Sequence, residues 1–249
     1  MSRPWYEIAF GAHYPALYRH RDQAEAVRAV DAVARCVPLR NERVLDLGCG
    51  AGRHLEPLRA HGAEPVGMDL SPHLLAEARR TGAAAPLLRG DWTRIPLRDG
   101  SCGAVLSLFT AFGYGDDPAQ RRMVAEVARV LRGGGRWCLD YLNPRAVRRE
   151  LADPPPPRRR ELEGFRVTET RRLDGDRSRV LKTVAVERPG AEPLTYTESV
   201  ALLELSELDA LAAAAGLART AALGGYDGAP LDPDVSPRWL LVYGKEAAA

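Results

Sequence analysis

Two rhythms of apolar and polar positions run along this chain. Between residues 43 and 142, short apolar runs alternate with amphipathic stretches of helical period. They predict strands at 43–47, 64–69, 86–89, 103–108 and 135–141, with helices at 52–61, 72–80 and 117–132. Ser71 stands where the second of those helices needs an N-cap. Alternation of this kind predicts a mostly parallel sheet covered by helices on both faces. Before it, residues 6–38 hold an aromatic-rich stretch (Tyr6, Phe10, Tyr14, Tyr18). A helical pattern over 21–36 follows, with Val27, Val30, Val33 and Ala34 on one stripe.

The rhythm changes at Asn143. Pro154 to Pro157 form a stiff connector where helix stops. Strand-like runs follow at 165–173, 178–187 and 194–205, and Asp174-Gly175 marks a hairpin turn. An antiparallel subsheet of two or three strands is predicted. A helix at 207–215, closed by Gly216, and strands at 217–223 and 238–244 then return to the main sheet. A long loop, 224–237, joins those two strands.

The most informative chemistry lies at the first strand. Residues 44–54 read V-L-D-L-G-C-G-A-G-R-H, and G-M-D-L-S follows at 67–71. A strand thus runs into a glycine turn and then a helix, whose N-terminus presents free amides. Asp69 ends the next strand, where an acid accepts hydrogen bonds from two ribose hydroxyls. An adenosine-containing ligand follows. The dinucleotide fingerprint G-x-G-x-x-G fails here, because Arg53 occupies its sixth position. The glycines run G-x-G-x-G instead, with Asp46 two residues ahead. Downstream come Gly90-Asp91-Trp92, the apolar strand ending at Leu108 with Phe109 to Tyr114 after it, and R-V-L-R-G-G-G at 129–135.

In that order these motifs resemble the class I S-adenosylmethionine (SAM)-dependent methyltransferases, strongly over 43–141 and more weakly beyond. The segments G-R-H-L-E and L-F-T-A-F-G-Y are similar to those of amino-sugar N-methyltransferases. The resemblance implies an α/β fold: a seven-stranded Rossmann-like sheet, mostly parallel with an antiparallel last strand, helices on both faces and an inserted antiparallel subsheet. It implies a lid over 1–42, a SAM-binding core over 43–142, a cap over 143–205 and completion of the core sheet over 206–249. It assigns the cofactor pocket to Tyr14, Asp46, Gly48, Cys49, Gly50, Gly52, His54, Asp69, Leu70, Gly90, Asp91, Trp92, Leu108 and Phe109. Within it Asp46 and the glycines would serve the methionine part, Asp69 the ribose, and Asp91 with Trp92 the adenine. His54 either points at the cofactor or caps nearby backbone.

Methyl transfer needs nucleophile, methyl and sulfur in line, and water excluded. Amine acceptors must lose a proton, and hydroxyls need a base. Topology brings His20, Tyr14, Tyr18, Tyr114 and Tyr226 toward one sheet edge, with Asp227 and Arg238 on the late loop; the catalytic candidates are His20, Tyr14, Tyr114 and Tyr226. A cap over that edge implies a small, enclosed acceptor, taken at N or O, in natural-product tailoring. A homodimer contact is the other role open to the insertion.

Composition narrows this picture further. The chain has 249 residues, and 45% hydrophobic content suffices for a real core. Four scattered cysteines, Cys36, Cys49, Cys102 and Cys138, include no C-x-x-C pair, so no zinc or other metal site is expected. Neither a membrane span nor a secretory leader is expected, and the cytoplasm is the natural setting. A net charge of +2 argues against a strong grip on nucleic acid. The run Arg158 to Arg160 reads as a solvated loop. Three alternatives stand beside the enzyme: an NAD-dependent oxidoreductase, a SAM-binding module without catalysis, and an RNA methyltransferase.

Overall fold

One strand is buried along its whole length, Cys102–Ser107, and the sheet is built outward from it. The structure is a computed structural model that describes residues 4–11, 13–18, 23–162 and 164–247. The chain opens with three helices, α1 (Trp5–Ala9), α2 (Tyr14–Leu17) and α3 (Gln23–Ala34). The core follows as β1 (Arg43–Leu47), α4 (Leu55–Ala60), β2 (Glu64–Asp69), α5 (Pro72–Arg80), β3 (Leu87–Arg89), β4 (Cys102–Ser107), α6 (Asp117–Val130) and β5 (Leu131–Leu142). After α7 (Pro144–Glu150) come β6 (Arg158–Leu162), β7 (Phe165–Leu173), β8 (Arg179–Glu187) and β9 (Leu194–Ala201). The chain closes with α8 (Leu205–Ala213), β10 (Leu217–Leu223) and β11 (Arg238–Lys245).

Seven strands form the main sheet in the order β10-β11-β5-β4-β1-β2-β3. Strand β11 runs antiparallel to both neighbours, and the remaining pairs are parallel. Two apolar clusters cover its faces. One gathers Leu45, Val105, Trp137, Leu139, Tyr141 and Tyr243 under α6 and α8; the other gathers Val44, Ala104, Leu106 and Leu240 under α3 and α4. The single buried hydroxyl of β4, on Ser107, is satisfied by the Trp137 indole N–H at 3.1 Å. Ser71 caps α5, accepting from the Leu74 amide at 3.2 Å. Among the described residues, no helix is long and apolar enough to cross a membrane.

The structure moves several sequence expectations. Helix α4 begins at Leu55 rather than residue 52, because Gly52 holds the left-handed conformation at φ +78° and keeps the turn open. Strand β5 begins at Leu131, inside the expected helix. Leu131 pairs with Cys102, and the register resumes only at Ala104 with Arg136, so the three glycines fill a bulge rather than a turn. Val27, expected on the buried stripe of the first long helix, is 41% exposed.

The second sheet has four strands, β6-β7-β8-β9, not two or three. The added strand is the arginine run. Arg160 turns inward, donating to the Leu17 carbonyl at 3.1 Å and pairing with Glu169 at 3.2 Å, while Arg159 and Glu161 face solvent. Charge hid a period-two alternation. The Asp174-Gly175 hairpin is a five-residue loop whose left-handed residue is Arg177, at φ +60°. The Asp174 carboxylate closes it by accepting from the Arg179 amide at 2.9 Å.

This sheet rests on the N-terminal helices. Ala9, Leu17 and Tyr18 pack against Val167, Val184, Val186 and Tyr196. Arg179 ties it to the segment after β4 through the Gly113 and Tyr114 carbonyls, at 2.9 and 3.1 Å. The insertion therefore covers the carboxyl edge of the main sheet.

Candidate functional site

The turn after β1 crosses toward β2, with the Gly48 and Cys49 amides both donating to the Met68 carbonyl at 2.8 and 3.0 Å. Gly48 is at φ +83°, and a Cβ there would lie 3.0 Å from that of Ala111. Only glycine fits this backbone. The Asp69 carboxylate then binds the turn together, accepting from Gly50 at 2.8 Å and from Ser71 at 2.8 Å. Burial holds its carboxyl above the usual carboxylate range, against the lowering effect of those two amides. A half-buried carboxylate without a cation invites further donors. Cys49 beside it is a packed, inert thiol, its pKa pushed up by burial.

A cavity of about 660 Å³ opens over this turn. Gly48, Cys49, Gly50, His54, Asp69, Leu70, Gly90, Asp91, Trp92, Leu108, Phe109 and Tyr14 all line it. Asp46 and Gly52 are not on its wall. Asp46 is 1% exposed and lies 3.3 Å from His54 Nδ1, so the imidazole stands between that acid and the cavity. The other imidazole nitrogen, Nε2, is buried with no hydrogen-bond partner among the described residues. Asp91 is exposed at the rim and caps its own turn, accepting from the Thr93 amide at 2.7 Å. The lid is fixed to the same edge, because the Ser71 hydroxyl donates to the Phe10 carbonyl at 2.6 Å.

A second cavity of about 250 Å³ lies under the inserted sheet. The two share Phe10, Tyr14, Tyr18, Phe109 and Tyr114, all of them aromatic. Phe10 stacks on Tyr114 with ring centres 5.9 Å apart, and Tyr14 contacts both Phe10 and Tyr18, at 5.0 and 4.5 Å. These five form an aromatic collar shared by the two cavities. Beyond it the wall turns polar, with Thr110, Arg171, Lys182, Glu198 and Arg238. Lys182 pairs with Glu198 at 2.8 Å and donates to the Tyr18 hydroxyl at 2.6 Å.

Behind the collar sits a buried acid that the sequence reading did not single out. Asp140, at the carboxyl end of β5, is 0% exposed. It accepts from the Phe109 amide at 2.7 Å, from Arg238 at 2.6 Å and from the Tyr226 hydroxyl at 2.6 Å. Tyr226 lines neither cavity. Burial and the adjoining Asp140 charge push its phenol pKa far up, so it stays a donor. His20 lies outside the described residues. Tyr14 and Tyr114 are in the collar. The signal for Asp140 was present as one carboxylate inside an otherwise apolar strand, Trp137 to Leu142. Lys182 and Glu198 carried no local signal, since their pairing is a cross-strand register of β8 with β9.

Comparison with known proteins adds to this geometry. The family model described as "Methyltransferase domain" matches residues 44–135. Among curated proteins, malonyl-[acyl-carrier protein] O-methyltransferase of Enterobacter lignolyticus is 37% identical over 128 residues, covering 51% of this chain and 49% of that one. The chain spans about half the length of the curated relatives it matches. Among solved structures, the CcbJ methyltransferase from Streptomyces caelestis aligns with a TM-score of 0.79 at 22% identity, covering 96% of this chain and 98% of that chain. The sugar N-methyltransferase KedS8 from Streptoalloteichus sp. aligns with a TM-score of 0.68 at 25% identity, over 94% and 93%.

Proposed function

We propose that this chain, whose core is a class I SAM-dependent methyltransferase domain, transfers a methyl group to a nitrogen or oxygen of a small acceptor held under the inserted sheet. An amino sugar is the acceptor class we favour, with natural-product tailoring as its setting. The observation that carries the reading is the pair of adjacent cavities that share an all-aromatic wall. The likeness to a sugar N-methyltransferase structure supports the choice of acceptor.

SAM supplies an electrophilic methyl on a sulfonium. The residues present fit it. Gly48 keeps the turn close to Ala111 where a Cβ would collide, Asp69 is a half-buried acceptor for a diol, and His54 Nε2 has no partner among the described residues, beside the end of the pocket we give to the methionine part. Trp92 and Tyr6, 5.7 Å apart, flank the place we give to adenine. The collar excludes water from the reacting atoms, and its tyrosine and phenylalanine faces favour a positive centre between them. The second chamber is sized for a single substituted ring, and a duplex or a protein surface does not enter it. We give its polar wall, with Glu198 held there by Lys182, the task of orienting that ring.

Titration calorimetry with S-adenosylhomocysteine (SAH), followed by SAH formation from SAM over a panel of amino sugars, phenols and tRNA, tests the reading. Expected are one SAH site per chain and turnover with amino sugars. Absence of SAH binding, or turnover with tRNA alone, overturns it. Binding without turnover on any acceptor points to the non-catalytic module.

A further inference from the structure

The segment that leaves β4 is strained. Phe109 and Thr110 hold consecutive left-handed conformations, at φ +56° and +61°. Neither residue adopts this region readily, and for β-branched Thr110 it is a real outlier. Such strain persists only where the surroundings over-determine it. Here the surroundings are Asp140 and its partners. The Asp140 carboxylate accepts from the Phe109 amide at 2.7 Å, and its main-chain carbonyl accepts from the Thr110 amide at 3.1 Å. Arg238 bridges the other way, donating to Asp140 at 2.6 Å and to the Thr110 hydroxyl oxygen at 3.0 Å. Tyr226 completes the node with a 2.6 Å bond to Asp140 and a ring contact to Phe109 at 5.8 Å.

We propose that Asp140 is a positioning residue for methyl transfer: with Arg238 and Tyr226 it clamps the 109–110 turn and so fixes the wall between cofactor and acceptor. The inference rests on the second chamber being the acceptor site. Phe109 lines both cavities, and Thr110 only the second. The clamp therefore sets two things at once. It aims the Phe109 ring within the collar, where His54 stacks on it at 5.6 Å and the Arg53 guanidinium lies 3.7 Å from its centre. It also fixes the Thr110 side chain on the wall of the second cavity, its hydroxyl oxygen accepting a hydrogen bond from Arg238. Asp140 and Tyr226 line neither cavity, so they tune acceptor approach without touching the acceptor, while Arg238 carries the clamp to the wall of the second cavity.

The test compares Tyr226→Phe, Asp140→Asn and Tyr226→Phe/Thr110→Asn with the unmodified full chain. Tyr226→Phe removes one hydroxyl and keeps the ring. Asparagine at 110 tolerates the left-handed region and retains an acceptor for Arg238. Three readouts are taken: SAH affinity by calorimetry, kcat and KM with the turned-over amino sugar, and hydrogen exchange of the 108–112 peptide. Expected for Tyr226→Phe is about a tenfold fall in kcat, SAH affinity and KM within about twofold, and faster exchange confined to 108–112. Thr110→Asn in that background restores most of the kcat. Asp140→Asn falls further, by about a hundredfold; if it does not fold, Tyr226→Phe carries the test alone. Parallel loss of SAH affinity and kcat, absence of the asparagine rescue, or unchanged exchange at 108–112 overturns the clamp. If no acceptor turns over, the functional reading has failed; the exchange result still decides the clamp.

Discussion

The two cavities that we assign to cofactor and acceptor share one aromatic wall, yet they are built from different materials. The floor of the first is a backbone turn carried on consecutive elements, beneath walls of aromatic side chains. Its turn, its amides and its acid fall within residues 48–71. The second is made of side chains drawn from the lid, the segment after β4, three strands of the inserted sheet and the start of β11. A backbone site is specified by where glycine is required, and it changes little with the surrounding side chains. A side-chain site is specified by register and packing, and it re-forms with each substitution. One domain thus keeps a fixed cofactor half and a variable acceptor half.

The sharpest way to break this contrast is at Gly48. Gly48→Ala forces a side chain into φ +83° and against Ala111 at 3.0 Å. It should abolish SAH binding in calorimetry and cost about 1–2 kcal/mol of stability by thermal melting. Retained binding would mean the cradle is not backbone-specified. Next in size is Asp69→Ala, which should weaken SAH binding by about 2 kcal/mol, roughly thirtyfold, as two hydroxyl bonds to a charged group are lost. The pH dependence has the matching sign. Only ionised Asp69 accepts both hydroxyls, and burial raises its pKa, so affinity should fall with acidification earlier than for an exposed carboxylate. A flat profile between neutral and mildly acidic pH would remove Asp69 from the ribose.

On the acceptor side the expected effects are smaller and of another kind. Glu198→Gln removes the partner of Lys182, both about 20% exposed at the side chain. It should leave SAH affinity within about twofold while raising the acceptor KM by several-fold, the signature of a lost ground-state contact. Equal changes in both constants would erase the distinction between the two halves.

The same contrast decides what could be read from the chain alone. The glycine turn, the core strands and helices and Asp69 at a strand end were legible because their signals are local: a period, a cap, a breaker, an acid at a strand end; the seven-stranded sheet followed from the family resemblance. That Asp46 lies off the cavity wall was not legible, because no local signal places the His54 ring 3.3 Å from it. The edge strand Arg158–Leu162 was missed because charge on both faces concealed its alternation. The Lys182–Glu198 pair depends on β8 meeting β9 in one register, and a slip of one residue would turn both side chains to the opposite face. Tyr226 was legible as a residue near the site but not as a donor to Asp140, a contact spanning 86 positions.

The placement of β11 between β5 and β10 also bears on how the protein is made. Synthesis proceeds from the N-terminus, and domains begin to fold as they emerge. The nascent chain can assemble β1 to β5 with their helices as soon as residue 142 is free. It then carries β5 as an open edge, with Trp137, Leu139 and Tyr141 beside it, until Arg238–Lys245 is made. An uncovered apolar strand edge is a template for pairing with other chains. The inserted sheet is thus translated during the interval of greatest exposure, and the last strand both closes that edge and delivers Arg238 to Asp140.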